Sequence, residues 1–356
     1  MPAIYARKLK LPTPSGPSSK TVKEDTLRKL YSLSSDPESR WFPKPHSFLF
    51  EKDLVFGGRQ LSYLSNEAAS DEGKKLDDVL DFPQLLEVLP NDVRTDEKKI
   101  SSFPLLNPWR LGRLKTDGMI ESEAEAQKKR CKVLDKLFPP SNFPSVTRVL
   151  QATMDQQAQN ALARWKERMI KDMGEVQFIQ HQRKIFYRGS LLHRNIALRL
   201  TSPNADIQVS DEISGFWNSL SHVFPEISQV KVMEQRVMHP FLCYSGVADC
   251  IAIMDNELVL IDWKTSSRPK PDLSYLYDEP IQAVSYSGAV NFDQKLQFQI
   301  EKVAIVVAYE DGSPADVHHL SHSHCRDYWK LWLLRLQKYW QTLESSKSST
   351  ANKRNK

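Results

Sequence analysis

The most confining stretch of this sequence is an apolar run, Leu258–Val259–Leu260–Ile261, that passes without a break into Asp262–Trp263–Lys264. A short apolar run bounded by a turn signal reads as a buried strand. Residues two apart on a strand project to one face, so Asp262 and Lys264 share a face. Charges on a buried strand lose hydration unless something compensates them. Just upstream, Leu242 to Met254 is a long β-type segment, and Asp255–Asn256 is a turn signal between the two runs. Pairing about a tight turn there sets Asp249 opposite Asp262, and such cross-strand neighbours lie about 4.5–5.5 Å apart at Cβ. Two carboxylates that close repel unless a cation lies between them. Oxygen ligands in this arrangement suit Mg2+ or Mn2+. The ammonium of Lys264 would then steady a phosphate or an attacking water. A lone Asp-x-Lys is most often a structural ion pair; with Asp249 added, the hairpin points to a phosphodiester-hydrolysing site.

Around this hairpin the pattern predicts an α/β domain. Ser145 is a candidate N-cap before Val146–Leu150. Residues 156–173 have helical spacing, a second helix is predicted over Ser190–Leu200, and Asp211 is a candidate cap for a third covering Ile213, Phe216, Trp217 and Leu220. Val230–Met238 reads as the first strand. After the hairpin come a helix from about Glu279 to Val290, a buried strand over Val303–Tyr309 and a Trp-rich helix over His324–Leu343. The expected architecture is a mixed central sheet flanked by helices, with a helical part before the strands. Residues 1–140 are broken by Pro, Ser and charge clusters and read as a variable, largely disordered arm. Two apolar islands within it, Trp41–Phe50 and Phe103–Leu111, are candidates to dock on a core. The domain itself is expected over 141–345, with a polar tail over 346–356.

Composition narrows the partners more than the fold. The 356 residues carry a net charge of +5, which suits a polyanion without demanding one. No apolar run reaches the length of a membrane span. Cys131, Cys243, Cys250 and Cys325 form no CxxC pair, so a disulfide framework or zinc ribbon is not expected and the thiols read as reduced. The first 23 residues hold Arg7, Lys8, Lys10, Lys20 and Lys23 with no acid before Glu24, the composition of an organelle transit peptide and of a basic disordered N-terminus alike.

The motifs then fall into a known order. Ser245–Gly246–Val247–Ala248–Asp249, Ile261–Asp262–Trp263–Lys264–Thr265 and Gln282-x-x-x-Tyr286 resemble the RecB-type branch of the PD-(D/E)xK nucleases, with a restriction-endonuclease-like core. Gln282 and Tyr286 are four apart and would share a helix face. The resemblance implies that Asp249, Asp262 and Lys264 are catalytic, with Gln282 and Tyr286 supporting them. It also implies that His193, in Gly189–Ser190–Leu191–Leu192–His193, is a metal ligand beside Asp249, Asp262 and the Trp263 carbonyl. Glu234 resembles a strand acid of the same pattern and is placed in the supporting shell. Phe143–Leu150, the Arg164–Trp165–Lys166 helix, Asp262–Pro271 and Ile305–Ala315 are similar to a mitochondrial branch of that superfamily, over roughly residues 140–343. That likeness implies a Mg2+- or Mn2+-dependent exonuclease acting on single-stranded DNA with free ends in the mitochondrial matrix. Flap trimming and degradation of linear DNA follow from it, with mitochondrial replication proteins as partners and the chain a monomer. Some RecB-type nucleases carry a four-cysteine iron–sulfur cluster; these cysteines do not match that set, so no cluster is expected.

Residues 148–199 hold ten Lys or Arg against four Asp or Glu, interleaved with Trp165, Phe178, Phe186 and Tyr187. Basic side chains with rings for base stacking are what sequence-tolerant single-strand binding needs. Ser145, Thr147, Arg148, Arg164, Lys166 and Arg188 are the expected DNA contacts, joined by Arg268 and Lys270 just after the catalytic strand. His318, His319, His322 and His324 are read as a surface loop rather than a zinc site. The rival reading from another class is a catalytically silent DNA-binding protein on a nuclease fold. A chelator separates the two, since binding survives metal removal and cleavage does not.

Overall fold

The chain reverses at Asp255 and Asn256, both with left-handed backbone at φ 51° and 63°. That pair of torsions makes a type I′ turn, whose twist matches the strands it joins. In the computed structural model, residues 96–108, 110, 143–293, 295–296 and 298–354 are described. The turn joins β2 (Tyr244–Met254) to β3 (Glu257–Ser266), and their register runs from Met254↔Glu257 to Cys250↔Ile261, as the tight turn predicts. β1 (Ile227–His239) pairs antiparallel with β2, with an irregularity between Ser228 and Val232. On the other side β3 runs parallel to β4 (Lys302–Tyr309), which pairs antiparallel with β5 (Asp316–Leu320). The sheet is therefore mixed, in the order β1-β2-β3-β4-β5.

Helices cover both faces. Val259, Ile261, Trp263, Ala304, Val306 and Ala308 pack under Leu192, Ile196, Phe216 and Leu220. These last belong to α4 (Glu175–Thr201) and to the region of α5 (Ser214–Ser219). Leu260, Val303, Ile305 and Val307, one residue out of phase, pack against the other cluster. That cluster is built on α2 (Val146–Ala152), α6 (Glu279–Phe292) and α7 (His322–Arg354). Asp262 and Lys264 share the phase of Leu260, and α6 follows β3 after a loop with a 3-10 turn (Leu273–Leu276), as the crossover that a parallel pair needs. Every residue of α6 is buried.

α1 (Glu97–Ser101) lies within the segment expected to be a variable arm. Ile100, Phe103 and Leu105 nevertheless belong to the α6–α7 core, so the Phe103 island docks. Trp329 donates its indole N–H to the Phe103 carbonyl at 2.7 Å, and Arg110 donates to the Val290 carbonyl at the end of α6. The Trp41–Phe50 island and the basic N-terminus lie outside the described residues.

Several boundaries need correction. α3 spans Gln156–Met173 as expected, but α4 starts at Glu175 rather than Ser190. Gly174 (φ 84°) is the break between them, a torsion glycine adopts without strain. Asp211 does not cap α5: Ile213 stands at the N-cap, and Ser214 Oγ donates to the Asp211 carbonyl instead. His318 and His319 lie on β5, and His322 and His324 start α7, so the polar loop expected there is a strand and a helix. Residues 346–354, within the expected polar tail, continue α7. Cys243, Cys250 and Cys325 are buried.

Candidate active site

Each candidate side chain is held by an element that the sequence dictates locally. Asp262 is fully buried, and its carboxylate is ion-paired with Lys264 Nζ. Asp249 lies one step past the last paired residues of the hairpin, where its Oδ2 accepts the Trp263 main-chain N–H at 3.1 Å. It therefore meets β3 through backbone. Trp263, expected to offer its carbonyl, reaches Asp249 through its amide. His193 comes from α4 and places Nδ1 3.0 Å from Glu234 Oε1 and 4.0 Å from Asp249 Oδ2. Glu234 takes φ 45° between two paired positions of β1. Left-handed backbone at a non-glycine residue is uncommon and clusters at functional sites.

Among the described residues, His193, Glu234 and Asp249 form a group whose ligand atoms all lie within 4.8 Å of one another. One imidazole and two carboxylates are a donor set that fits a divalent metal ion. The structure thus brings Glu234 closer to the ligand role than its sequence signal suggested, and it sets Asp262 on the lysine. Burial depresses the His193 pKa, but the fields of Asp249 and Glu234, with the Glu234 hydrogen bond, outweigh it and raise the pKa above its ordinary value. The imidazole is thus held by acids, as a cation would be.

The Gln-x-x-x-Tyr pair is also assembled. Gln282 Nε2 donates to Tyr286 OH at 2.7 Å, both side chains buried on α6. The motif's glycine has a physical reason: a Cβ on Gly246 would lie 2.3 Å from the Tyr286 ring. Strand β2 and helix α6 are locked at that contact. Ser245 N–H donates to the Pro144 carbonyl at 3.0 Å, which ties the Ser145–Arg148 segment to the same strand.

The expected DNA contacts divide. Ser145 caps α2 by accepting the Arg148 N–H, Thr147 is buried, and Arg148 is exposed. Arg164 and Lys166 lie exposed on α3, and Arg268 is exposed beyond β3. Arg188 is committed to structure instead: it pairs with Glu310 at 2.8 Å, donates to the Glu212 carbonyl and stacks on Phe216. Lys270 is anchored, its N–H donating to Tyr309 OH at 2.7 Å and its Nζ to the Tyr275 carbonyl. Trp165 and Phe178, read as stacking rings, are buried edge to face against each other, whereas Tyr187 is exposed. Pairing between the two helices, not base stacking, explains the first two.

Sequence reasoning missed Glu279. It opens α6, is 7% exposed, and leaves Oε2 without a hydrogen-bond partner. Burial pushes its pKa up to about 7 against the opposing fields of Lys270 and Lys264. An acid directly before Pro280, at the head of an otherwise uncharged helix, was the available signal.

No protein-family model matches the chain. It is, however, 39% identical over 239 residues to mitochondrial genome maintenance exonuclease 1 of Mus musculus, an alignment covering 67% of each protein. The chain belongs to the mitochondrial genome maintenance exonuclease 1 family. The human member of the family is 42% identical over 200 residues, 55% of this chain and 58% of that protein. The Xenopus tropicalis member is 40% identical over 198 residues, 55% and 57%. The chain therefore spans under three fifths of these two relatives. Among the described residues, no helix is long and apolar enough to cross a membrane.

Proposed function

We propose that this chain is a divalent-metal-dependent exonuclease that hydrolyses single-stranded DNA from free ends, flaps included, on a PD-(D/E)xK core. The relatives are named exonucleases of mitochondrial genome maintenance, and this chain is an enzyme of that class acting on mitochondrial DNA. The observation that carries the finer reading is the cluster of His193, Glu234 and Asp249 beside the buried Asp262–Lys264 pair.

His193, Glu234, Asp249 and Asp262 would hold Mg2+ or Mn2+. When bound, the ion neutralises charge on the scissile phosphate and makes a water more acidic. Lys264 sits against Asp262 and can orient the attacking water while offsetting negative charge that develops on the phosphate oxygens. Gln282 and Tyr286 hold each other and brace β2 through Gly246. Arg148, Arg164 and Lys166 supply exposed positive charge for the DNA backbone, and Arg268 extends it past the catalytic strand. The basic first 23 residues serve as the targeting segment that leads to the matrix, and the working unit is a monomer that meets mitochondrial replication proteins.

The test is digestion of 5′- and 3′-labelled single strands, flaps and closed circles with Mg2+, Mn2+ or EDTA. Cleavage of linear and flap substrates, lost in EDTA and absent on circles, is expected. Binding without cleavage under every metal would favour the silent DNA-binding reading, and cutting of circles would show an endonuclease.

A further inference from the structure

The chain just past Lys264 is pinned by two buried hydroxyls. Ser266 ends β3, and its Oγ holds Arg268 at both main-chain groups: it accepts the Arg268 N–H at 3.1 Å and donates to the Arg268 carbonyl at 2.7 Å. Two residues on, the Lys270 N–H donates to Tyr309 OH at 2.7 Å, and that hydroxyl donates in turn to the Asp316 carboxylate. Tyr309 ends β4, stands beside Ser266 in the parallel register and is 4% exposed. Burial and the Asp316 hydrogen bond raise its pKa above the ordinary value, so the phenol keeps the proton it donates. Pro269 and Pro271 flank Lys270 and fix φ on either side of it.

Connecting segments are ordinarily the mobile part of a domain. A loop tied in this way has little backbone freedom left to lose when a ligand binds to it. What it presents is specific. Lys270 turns its ammonium to the Tyr275 carbonyl at 3.1 Å and over the Tyr277 ring. Arg268, between the two ties, is exposed. It follows Lys264 by four residues, at most about 14 Å of extended chain. Ser266 projects to the same face of β3 as Asp262 and Lys264. A guanidinium grips phosphate through a planar fork, so its grip depends on orientation as well as on charge. We propose that Ser266 and Tyr309 are positioning residues for Arg268, a two-hydroxyl clamp that presents its guanidinium to the DNA backbone beside the scissile phosphate. This rests on the nuclease reading of the site.

The test is a double-variant cycle in the full chain, read as steady-state cleavage of labelled single-stranded DNA with Mg2+. Arg268→Gln is expected to raise KM about fivefold with kcat within about twofold. Tyr309→Phe, which keeps the ring, and Ser266→Ala should each raise KM about threefold. Once Arg268 is gone the clamp has nothing to present, so either double variant should stay near the fivefold of Arg268→Gln alone. Independent structural roles would instead multiply, to about fifteenfold, and that result overturns the inference. So does an original KM in both clamp variants. Should Tyr309→Phe fail to fold, Ser266→Ala and its double variant decide the matter alone. Two outcomes keep the ideas apart. If the unmodified chain does not cleave, the nuclease reading fails. If it cleaves and Arg268→Gln keeps the original KM, the nuclease reading stands and only the clamp fails.

Discussion

Two parts of this molecule carry charge for opposite purposes. Toward the C-terminal end of β3 and at the start of α6 the ionisable groups are buried: Asp249, Asp262, Lys264 and Glu279 have little access to water. On the α3–α4 hairpin the charges face outward, Arg164, Lys166, Arg168 and Lys171 on one helix and Arg183 and Lys184 on the next. The hairpin has its own small cluster of Trp165, Met169 and Phe178, distinct from the two clusters that sandwich the sheet. Buried charges interact strongly and hold fixed geometry, which suits chemistry; exposed charges are screened by salt and suit a sliding, sequence-tolerant grip.

That contrast breaks first, and most severely, at the buried end. Asp249→Ala removes a carboxylate shared by the His193–Glu234 cluster and the Trp263 amide. Cleavage should fall by about a thousandfold, while single-stranded DNA binding by fluorescence anisotropy changes little. Equal losses of binding and cleavage would dissolve the distinction. At the hairpin, Trp165→Ala unpacks Phe178, a core truncation worth about 3–5 kcal/mol locally. Because that cluster stands apart, the main thermal transition should hold while KM for single-stranded DNA rises about tenfold and kcat stays near its original value. Loss of the main transition would mean that hairpin and sheet unfold together.

A smaller effect is expected from Arg164→Gln combined with Lys166→Gln. KM should rise several-fold, and the slope of log binding constant against log salt should shrink by about 1.5. An unaltered slope would remove these two residues from the DNA path. The smallest is a stability difference at Glu279. Its folded pKa, about 7, lies above the unfolded value. The folded state then binds the extra proton, so its contribution is complete at acid pH and is lost as pH rises through 7. Glu279→Gln should thus melt like the unmodified chain near pH 5 and gain on it by pH 8. A gap that does not widen with pH would show that the carboxyl is not titrating there.

The hairpin was legible because two independent signals agreed: the Asp255–Asn256 turn, and apolar runs whose phase set Asp262 and Lys264 on the face of Leu260. The Gln282–Tyr286 helix was legible for the opposite reason, since Pro280 to Phe292 holds no charged residue, and the structure buries every residue of that helix. What escaped was structure made by polar residues. β5 hid behind His318 and His319, although His318 is buried. The first half of α4 was missed because Val176 and Tyr187 lie exposed and Phe178 packs only on the neighbouring helix, so no long apolar stripe forms. Trp165 and Phe178 looked like stacking rings because composition cannot tell a ring facing a base from one facing another ring. Glu234 was weak as a sequence signal because its closeness to His193 depends on a left-handed residue in a strand, which no residue pattern announces.

In the proposed function the buried Asp262–Lys264 pair at the end of β3 does chemistry and does not merely hold the fold. Single-turnover cleavage of 5′-labelled single-stranded DNA by Lys264→Ala, with enzyme in excess and Mg2+ saturating, addresses it most directly. The account predicts a first-order rate reduced by about three orders of magnitude, with DNA affinity retained and circular dichroism unchanged. A Lys264→Ala protein that folds, binds and cleaves at the original rate would contradict it.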